Sequence, residues 1–267
     1  METVVMGANG TLGRLVAAGL AERGHHVTAI ARAEARDPVA IGRTVPRVIV
    51  DCAGASTLLA LGKGWRGYRA VDTPIGLAAV EAAKRCDARL VYVGTHFASE
   101  MRATPYVDAH ERVVTAMREI DGCVVRATGF FSVFLSFLPM ARRGFMLDIG
   151  RGQARTNPID ERDLADLVIG AALDDGPREL AAGGPEIMHR REIYERVAAM
   201  VDRRVRIVGM PRWLAQAGSL GMRGLHPRIG QFAAFACGLA KYDVIAPVLG
   251  TRRFDDYCAA ARTTLAA

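Results

Sequence analysis

GANGTLG, residues Gly7–Gly13, stands between an apolar, β-branched segment at Thr3–Met6 and a segment with helical periodicity at Leu12–Arg23. Glycine tolerates the positive φ angles of a tight turn and lets backbone amides approach a diphosphate closely. The free N–H groups and the positive dipole end of the following helix attract phosphate. A strand before the glycines and a helix after them favour dinucleotide binding. The alternative is a tight strand–helix turn that holds no ligand.

Outward from this turn, strand-like and helix-like segments alternate. The predicted strands and helices of the first half are, in order, Val27–Ala31, Val48–Cys52, the helix Thr73–Arg85, Leu90–Gly94, the helix Tyr106–Glu119 and Cys123–Arg126. Pro74 is predicted to occupy the first turn of its helix. This alternation predicts parallel strands and an α/β fold with a doubly wound Rossmann sheet.

One gap between these segments is short. Only fifteen residues, Ala33–Arg47, separate the second strand from the third. A single crossover takes about 10–12 residues, and two crossovers with a strand between them take many more. Pro38 and Pro46 shorten any helix within the gap. The usual third strand and helix are therefore predicted to be missing, and the second strand to lie at a sheet edge.

The second half is predicted to be mostly helical. Its segments are an extended stretch at Thr156–Ile159, a strand at Val205–Val208, and helices at Asp163–Leu173, Arg191–Val201, from Pro211, near Ile229–Lys241 and around Phe254–Ala261. A boundary near Gly183–Pro185 divides the chain into a dinucleotide-binding domain, residues 1–184, and a C-terminal substrate-binding part, residues 185–267.

Composition narrows the class of protein. The five cysteines are scattered without a CxxC pair, so neither a disulfide framework nor a metal site is expected. No charged leader and no apolar stretch of about 18 residues is present, so we expect a cytoplasmic protein without a transmembrane segment. The net charge is +7, but the arginines come as scattered doublets. We therefore expect no nucleic-acid partner, and the positive field suits an anionic cofactor.

The end of the second strand indicates which nucleotide binds. It reads Ala31–Arg32, with no carboxylate before Glu34. An acidic residue there would bind the ribose 2′-hydroxyl, whereas arginine accommodates a 2′-phosphate. NADP(H) is therefore predicted in preference to NAD(H), with Arg14 as a second cation. The alternative is that Arg32 is a solvated loop residue.

The end of the third strand reads DCAGAS, Asp51–Ser56. Its small residues Ala53 and Gly54 are predicted to let the backbone face the adenosine.

Several motifs carry a resemblance to a known family. They are GANGTLG (7–13), CAGA (52–55), VYVGT (91–95), TPYVDAHERV (104–113), VVRATGFF (124–131), NPIDERDLAD (157–166), GGPE (183–186) and GTRRFDDY (250–257). In this order the chain resembles atypical short-chain dehydrogenase/reductases, and within them the NmrA-like and complex-I-accessory-subunit-like NAD(P)-binding proteins.

This resemblance implies a cofactor site. Residues that would hold the pyrophosphate are Gly7, Asn9, Gly10, Thr11, Leu12 and Gly13. Arg32 would hold the 2′-phosphate, and Thr128, Gly129 and Phe130 would lie beside the nicotinamide. The C-terminal part would surround the substrate. The missing third strand is a departure from the family, because that strand normally walls the adenine end.

The catalytic motif also departs from the superfamily's usual YxxxK. The corresponding residues are Tyr106 and His110, and Thr95 is the local substitute for the usual serine. A free tyrosine titrates near pH 10 and needs an adjacent cation to act near neutrality. Tyr106, Thr95 and His110 are predicted to line the reaction site. The alternative is that Tyr106 packs at the helix start while His110 points to solvent.

An apolar, partly aromatic set of side chains suggests the substrate. It comprises Phe130, Phe131, Phe134, Trp213, Leu214, Leu220, Met222, Leu225, Ile229, Phe232 and Phe235. These residues are predicted to enclose a lipophilic molecule; the alternative is ordinary core and homodimer contacts. The leading hypothesis is an NAD(P)H-dependent oxidoreductase that reduces a hydrophobic carbonyl or quinone-like compound. The alternatives are an NADP(H)-binding sensor or structural protein without turnover, and a non-redox isomerase or cyclase, so whether the chain is an enzyme stays open.

Overall fold

The computed structural model describes residues 1–55 and 64–266, with side chains through 263. In chain order its strands are β1 (Glu2–Met6), β2 (His26–Ile30), β3 (Val48–Asp51), β4 (Arg89–Thr95), β5 (Gly122–Ala127), β6 (Phe145–Ile149), β7 (Arg155–Thr156), β8 (Glu179–Ala182), β9 (Met188–His189) and β10 (Arg206–Met210).

Eleven described α-helices lie along the chain. They are α1 (Thr11–Glu22), α2 (Pro38–Gly42), α3 (Tyr68–Cys86), α4 (Pro105–Ala116), α5 (Phe131–Leu135), α6 (Leu138–Arg142), α7 (Glu161–Leu173), α8 (Arg190–Ala198), α9 (Arg212–Leu225), α10 (Pro227–Leu239) and α11 (Phe254–Ala266). Two short 3₁₀ turns lie at Ser99–Met101 and Met117–Glu119.

Six parallel strands form the central sheet, in the order β2-β1-β3-β4-β5-β8. The predicted doubly wound α/β fold is confirmed. Strand β2 lies at the edge, and the chain between it and β3 holds only the five-residue helix α2. The fifteen-residue gap therefore predicted correctly that one strand and one helix of the usual fold are missing.

Helices cover both faces of this sheet. Val5 and Val91 point to the face covered by α1 and α7, whereas Val4 and Leu90 point to the face covered by α3 and α4. Alternate residues of one strand thus enter two different cores. Strands that are buried on both faces read as continuous apolar runs, which is why β1, β3 and β5 were recognisable in the sequence.

Helix α3 begins five residues before its predicted start, so Pro74 lies inside the helix rather than in its first turn. Proline has no N–H to donate to the carbonyl four residues earlier, which belongs to Ala70. The guanidinium of Arg36 donates to that carbonyl oxygen at 2.9 Å. A side chain from the β2–α2 connection therefore replaces the missing helical hydrogen bond.

The second half adds two small sheets. Strand β6 pairs in parallel with β10, and β7 pairs antiparallel with β9. A separate apolar cluster includes Phe131, Phe134 and Phe254. The β6–β10 pairing joins residues on both sides of the proposed 184/185 division, which remains a prediction. Among the described helices, none combines the length and the apolar character that crossing a bilayer requires.

Candidate functional site

The Gly-rich turn packs against the end of β3. Gly7 has a φ of +77°, and a Cβ placed on it would lie 2.8 Å from the carbonyl carbon of Cys52 and 2.9 Å from the Cα of Ala53. A Cβ on Gly13 would collide with the carbonyl oxygen of Gly7. Both positions therefore require glycine, and the turn lies directly beside Ala53.

The start of α1 is open. The N–H of Gly10 donates to the Gly7 carbonyl at 2.8 Å, and no described side chain caps the helix. Asn9, Gly10 and Thr11 are exposed, whereas Leu12 and Gly13 are buried in the packing between helix and sheet. The first N–H groups of a helix have no intrahelical acceptor, so this terminus can accept an anion. The geometry fits a dinucleotide diphosphate.

Two arginines lie on elements next to this turn, since α1 follows it and β2 pairs in parallel with β1. Arg32 follows the end of β2, and Arg14 lies in the first turn of α1; both are exposed. Neither side chain has a hydrogen bond or ion pair with any other residue that the structure describes. Gly54, also predicted to face the cofactor, is exposed. Ser56, the last residue of the DCAGAS stretch, lies outside the described residues.

Tyr106 lies in the first turn of α4 and belongs to an aromatic cluster. Its ring centroid is 4.9 Å from that of Tyr68, 4.8 Å from that of His110 and 4.4 Å from that of Phe235. Burial, with the charge of Asp72 as a smaller cause, raises the pKa of Tyr106 well above its ordinary value. The phenol therefore stays protonated at neutral pH.

His110 lies one helical turn after Tyr106, on the same side of α4. Its Nδ1 is 2.6 Å from the hydroxyl oxygen of Tyr92, while its Nε2 is buried and has no partner among the described residues. Burial, followed by the charge of Arg126, lowers the pKa of His110 to about 4. The alternative that placed His110 in solvent is wrong, because the face of α4 that carries Tyr106 packs inward.

Thr95 and the segment after β5 share one edge of the sheet. Thr95 ends β4 and pairs in register with Ala127 of β5. The Thr128 hydroxyl donates to the carbonyl of Asn157 at 2.6 Å, and Phe130 precedes the first residue of α5. In open parallel sheets, ligands bind beyond the carboxyl ends of the strands. The roles of Thr95, Thr128, Gly129 and Phe130 remain predictions.

Two buried carboxylates near this edge were not predicted to have a role. Asp51 ends β3 and accepts from the Ala53 N–H at 2.9 Å; burial raises its pKa to about 7. Asp72 of α3 accepts from the Ala55 N–H at 2.7 Å, and burial raises its pKa to about 6. The second carboxylate oxygen of each has no described partner. The sequence did offer one signal for Asp51: an acidic residue at the end of an apolar strand indicates a buried carboxyl group.

A second unpredicted cluster lies between α4 and the β5–β8 edge. Arg126, buried on β5, donates to Glu111 at 2.6 Å and to Glu179 at 2.7 Å. Its guanidinium carbon lies 5.5 Å from the centre of the Phe97 ring. These residues line a cavity of about 410 Å³. A buried charge is stable only when it is paired, and both glutamates supply that pairing.

The side chains predicted to enclose a lipophilic molecule do not form one cluster, and that role stays a prediction. Phe131 and Phe134 pack against Phe254 in the core, and Phe235 stacks on Tyr106. The residues that instead point outward from α9 are Trp213, Leu214, Leu220 and Leu225. The phenylalanines are therefore in the core, whereas the apolar residues of α9 are at the surface. The sequence did not separate them, because hydrophobicity alone does not tell which side of a helix faces the core. Within the described ranges, no three His, Cys, Asp or Glu side chains are grouped as metal ligands.

By fold, the chain is a Rossmann-type α/β protein. No protein-family model and no curated protein matches its sequence. It is similar to the NADPH-dependent quinone oxidoreductase QOR2 of Escherichia coli, solved in complex with NADPH, with a TM-score of 0.70 and 14% identity over 97% of this chain and 99% of that one.

Two other solved structures are similar over a smaller share. dTDP-4-dehydrorhamnose reductase of Bacillus anthracis, in complex with NADP, has a TM-score of 0.65 and 12% identity, covering 79% of this chain and 84% of that chain. The Bordetella bronchiseptica enzyme WbmH, in complex with NAD+, has a TM-score of 0.60 and 16% identity, covering 78% and 85%. At these identities the likeness establishes the fold alone, and it confirms the predicted doubly wound α/β architecture.

Proposed function

We propose that the protein is an NADPH-dependent reductase of a hydrophobic carbonyl or quinone-like small molecule. One observation carries the proposal: an uncapped helix start behind a turn in which Gly7 and Gly13 cannot accept a side chain. In dinucleotide-binding folds, a tight turn and close helix–strand packing of this kind place the start of the helix where the pyrophosphate binds. The fold is similar, over nearly the whole length of both chains, to a quinone oxidoreductase solved with NADPH. This similarity supports NADPH as the cofactor and a quinone-like substrate.

Different residues would bind different parts of the cofactor. Backbone amides of Thr11–Gly13 would bind the pyrophosphate, and Arg32, exposed and without a described partner, would bind the 2′-phosphate. Ala53 and Gly54 would face the adenosine. Residues Thr128–Phe130 would lie beside the nicotinamide, with the C-terminal part, residues 185–267, on the substrate side. The bound dinucleotide supplies the hydride, and the protein orients the two reactants.

The chain's own contribution to proton transfer would come from Tyr106, Thr95 and His110. A phenol whose pKa is raised by burial is a hydrogen-bond donor to a developing oxyanion rather than a strong acid. Neutral His110 adds no positive field to lower that pKa. Tyr106 would therefore polarise the substrate oxygen, with Thr95 as a second hydrogen-bond donor, and the proton that completes the reduction would come from solvent.

A specific observation favours a second candidate, an NADP(H)-binding sensor without turnover. The position that holds lysine in typical reductases of this superfamily holds His110, which is buried, bonded to Tyr92 and uncharged. Such a site binds the nucleotide through the Gly-rich turn and lacks the cation that assists tyrosine in catalysis.

The deciding experiment has two parts. Nucleotide carried by the purified protein is identified by mass, and NADPH and NADH are titrated by calorimetry. NADPH oxidation is then followed with a panel of quinones and ketones, alongside Tyr106→Phe and His110→Ala. Oxidation that falls at least about tenfold in Tyr106→Phe with unchanged NADPH affinity supports the reductase. Tight binding without oxidation across the panel supports the sensor, and no binding of either nucleotide contradicts both.

A further inference from the structure

Helix α9 has its apolar side facing outward. The residues of α9 that are buried are Ala215 and Ser219, and the Ser219 hydroxyl donates to the carbonyl of Gly230 in α10 at 3.0 Å. Trp213 is 71% exposed, Leu220 60% and Leu225 80%. The contact with α10 is therefore made through small side chains, while the large apolar ones point away from the protein.

The helical period places these residues in one band. At about 3.6 residues per turn, Trp213, Ala217 and Leu220 align on the side opposite Ala215, with Leu214 adjacent to them. Arg212 and Arg223 lie together on one flank of this band, and both are exposed. A surface helix normally turns its apolar stripe towards the core. Here the apolar stripe faces solvent, so it can contact an apolar surface outside the protein.

The stretch of chain that contains α9 carries charges of one sign. Residues 203–242 contain seven arginines and lysines and no aspartate or glutamate: Arg203, Arg204, Arg206, Arg212, Arg223, Arg228 and Lys241. A symmetric dimer formed through this helix would place the same basic surface against itself. An anionic lipid surface instead offers both an apolar interior and complementary charge.

We propose that α9 lies in the plane of an anionic membrane surface. The band formed by Trp213, Leu214, Leu220 and Leu225 would enter the boundary between headgroups and acyl chains, and Arg212 and Arg223 would contact lipid phosphates. Binding of this kind is peripheral and needs no spanning helix. It is independent of the proposed reductase activity, because none of these side chains is among those proposed to bind the cofactor or to assist proton transfer.

Vesicle co-sedimentation of the full-length protein tests the proposal. Vesicles of phosphatidylcholine alone are compared with vesicles in which about a third of the lipid is phosphatidylglycerol. We expect binding to the anionic vesicles that weakens as salt is raised. The double variant Leu214→Gln/Leu220→Gln should lower the partition coefficient at least about tenfold, because each leucine no longer leaves water.

A matched control separates this effect from general loss of surface hydrophobicity. Val39 in α2 is 61% exposed, and Val39→Gln should leave vesicle binding unchanged. Thermal melts by circular dichroism check that each variant is folded.

The charge component has its own pair of variants. Arg212→Gln/Arg223→Gln should weaken binding to anionic vesicles by about fivefold per arginine removed. Arg47→Gln/Arg118→Gln changes the net charge equally, at exposed arginines on other elements, and should have a much smaller effect.

Three results would overturn the proposal: no binding to anionic vesicles, equal binding to both vesicle types, or equal loss in the two arginine pairs. Analytical ultracentrifugation adds a further one. A dimer that Leu214→Gln/Leu220→Gln dissociates in the absence of lipid would assign the band to a second copy of the chain instead.

Discussion

The Gly-rich turn and the Tyr106–His110 pair occupy the same edge of the sheet but are built differently. The turn would bind through backbone groups, and its geometry requires glycine at positions 7 and 13 because a Cβ there would collide with neighbouring backbone atoms. The pair is made of side chains whose protonation depends on burial and neighbours. The first kind of site is carried by glycine spacing, while the second depends on contacts made across the fold. Substitutions in each region separate these two dependences.

The largest effect is expected at Gly13. A valine there would place its Cβ against the Gly7 carbonyl oxygen, so the turn must open or the helix must shift. We expect NADPH binding to be lost by more than about a hundredfold, with a lower free energy of unfolding. Calorimetric titration and denaturant melts measure the two quantities.

Gly170→Ala is the control, since a Cβ there meets nothing within 4 Å. It should leave binding unchanged and stabilise helix α7 by up to about 1 kcal/mol. Wild-type affinity in Gly13→Val would contradict the assignment of the turn as a diphosphate site.

Arg32→Glu tests the nucleotide preference. A carboxylate beside a 2′-phosphate repels it, and the charge-assisted hydrogen bond is lost as well. We expect the NADPH affinity to fall by about a hundredfold and the NADH affinity to change little, since NADH carries no 2′-phosphate. Arg47→Glu makes the same charge change at the amino end of β3 and should not discriminate between the nucleotides. Equal losses for both nucleotides in Arg32→Glu would remove the proposed role.

Asp51→Asn tests the buried carboxyl group next to the turn. Because burial raises the pKa of Asp51 to about 7, the native state holds a proton that the unfolded chain releases near pH 4. Stability from this group is full below about pH 4 and is lost as pH rises towards 7. Asparagine does not titrate, so the stability of the variant relative to wild type should rise by about 2 kcal/mol between pH 5 and pH 8.

Denaturant melts across that pH range measure the difference. Exposed Asp256→Asn should show no such trend. A flat difference for Asp51→Asn would mean that the carboxylate is ionised in the native state at pH 5.

The smallest effect is expected at Tyr92→Phe. Removing the hydroxyl leaves the Nδ1 of His110 buried without its 2.6 Å partner, as its Nε2 already is. The loss should be about 1 kcal/mol of stability, with little change in NADPH affinity. Tyr242→Phe removes a hydroxyl bonded to exposed Lys241 and should cost less. If Tyr92→Phe weakened NADPH as much as Gly13→Val, the two regions would be one site.

Much of the fold was predictable because its signals are local. The apolar runs of β1, β3, β4 and β5 mark buried parallel strands, and the gap at Ala33–Arg47 predicted which strand lies at the edge. Strands β6 and β8 were not predicted. Phe145–Ile149 alternates between exposed and buried residues, and Glu179–Ala182 is short and begins with a charge. Each becomes a strand through pairing with a distant segment.

The site divides in the same way. Gly7, Gly13 and the neighbouring Ala53 were predicted together, and the structure brings them into contact. The burial of His110 was not predictable, because a histidine four residues after a tyrosine on a helix carries no sign of the Tyr92 hydroxyl it will meet. The ion pairs of Arg126 depend likewise on α4 and β8 packing beside β5.

Strand β2 is the edge strand of the central sheet next to β1. Only α2 joins it to β3, so an extra strand–helix unit inserted between Ile30 and Val48 would lengthen the sheet outward without rethreading any of the pairings between β1, β3, β4, β5 and β8. The architecture is therefore modular at this point: grafting such a unit would widen the sheet beside β2, while the Gly-rich turn after β1 would keep its neighbours.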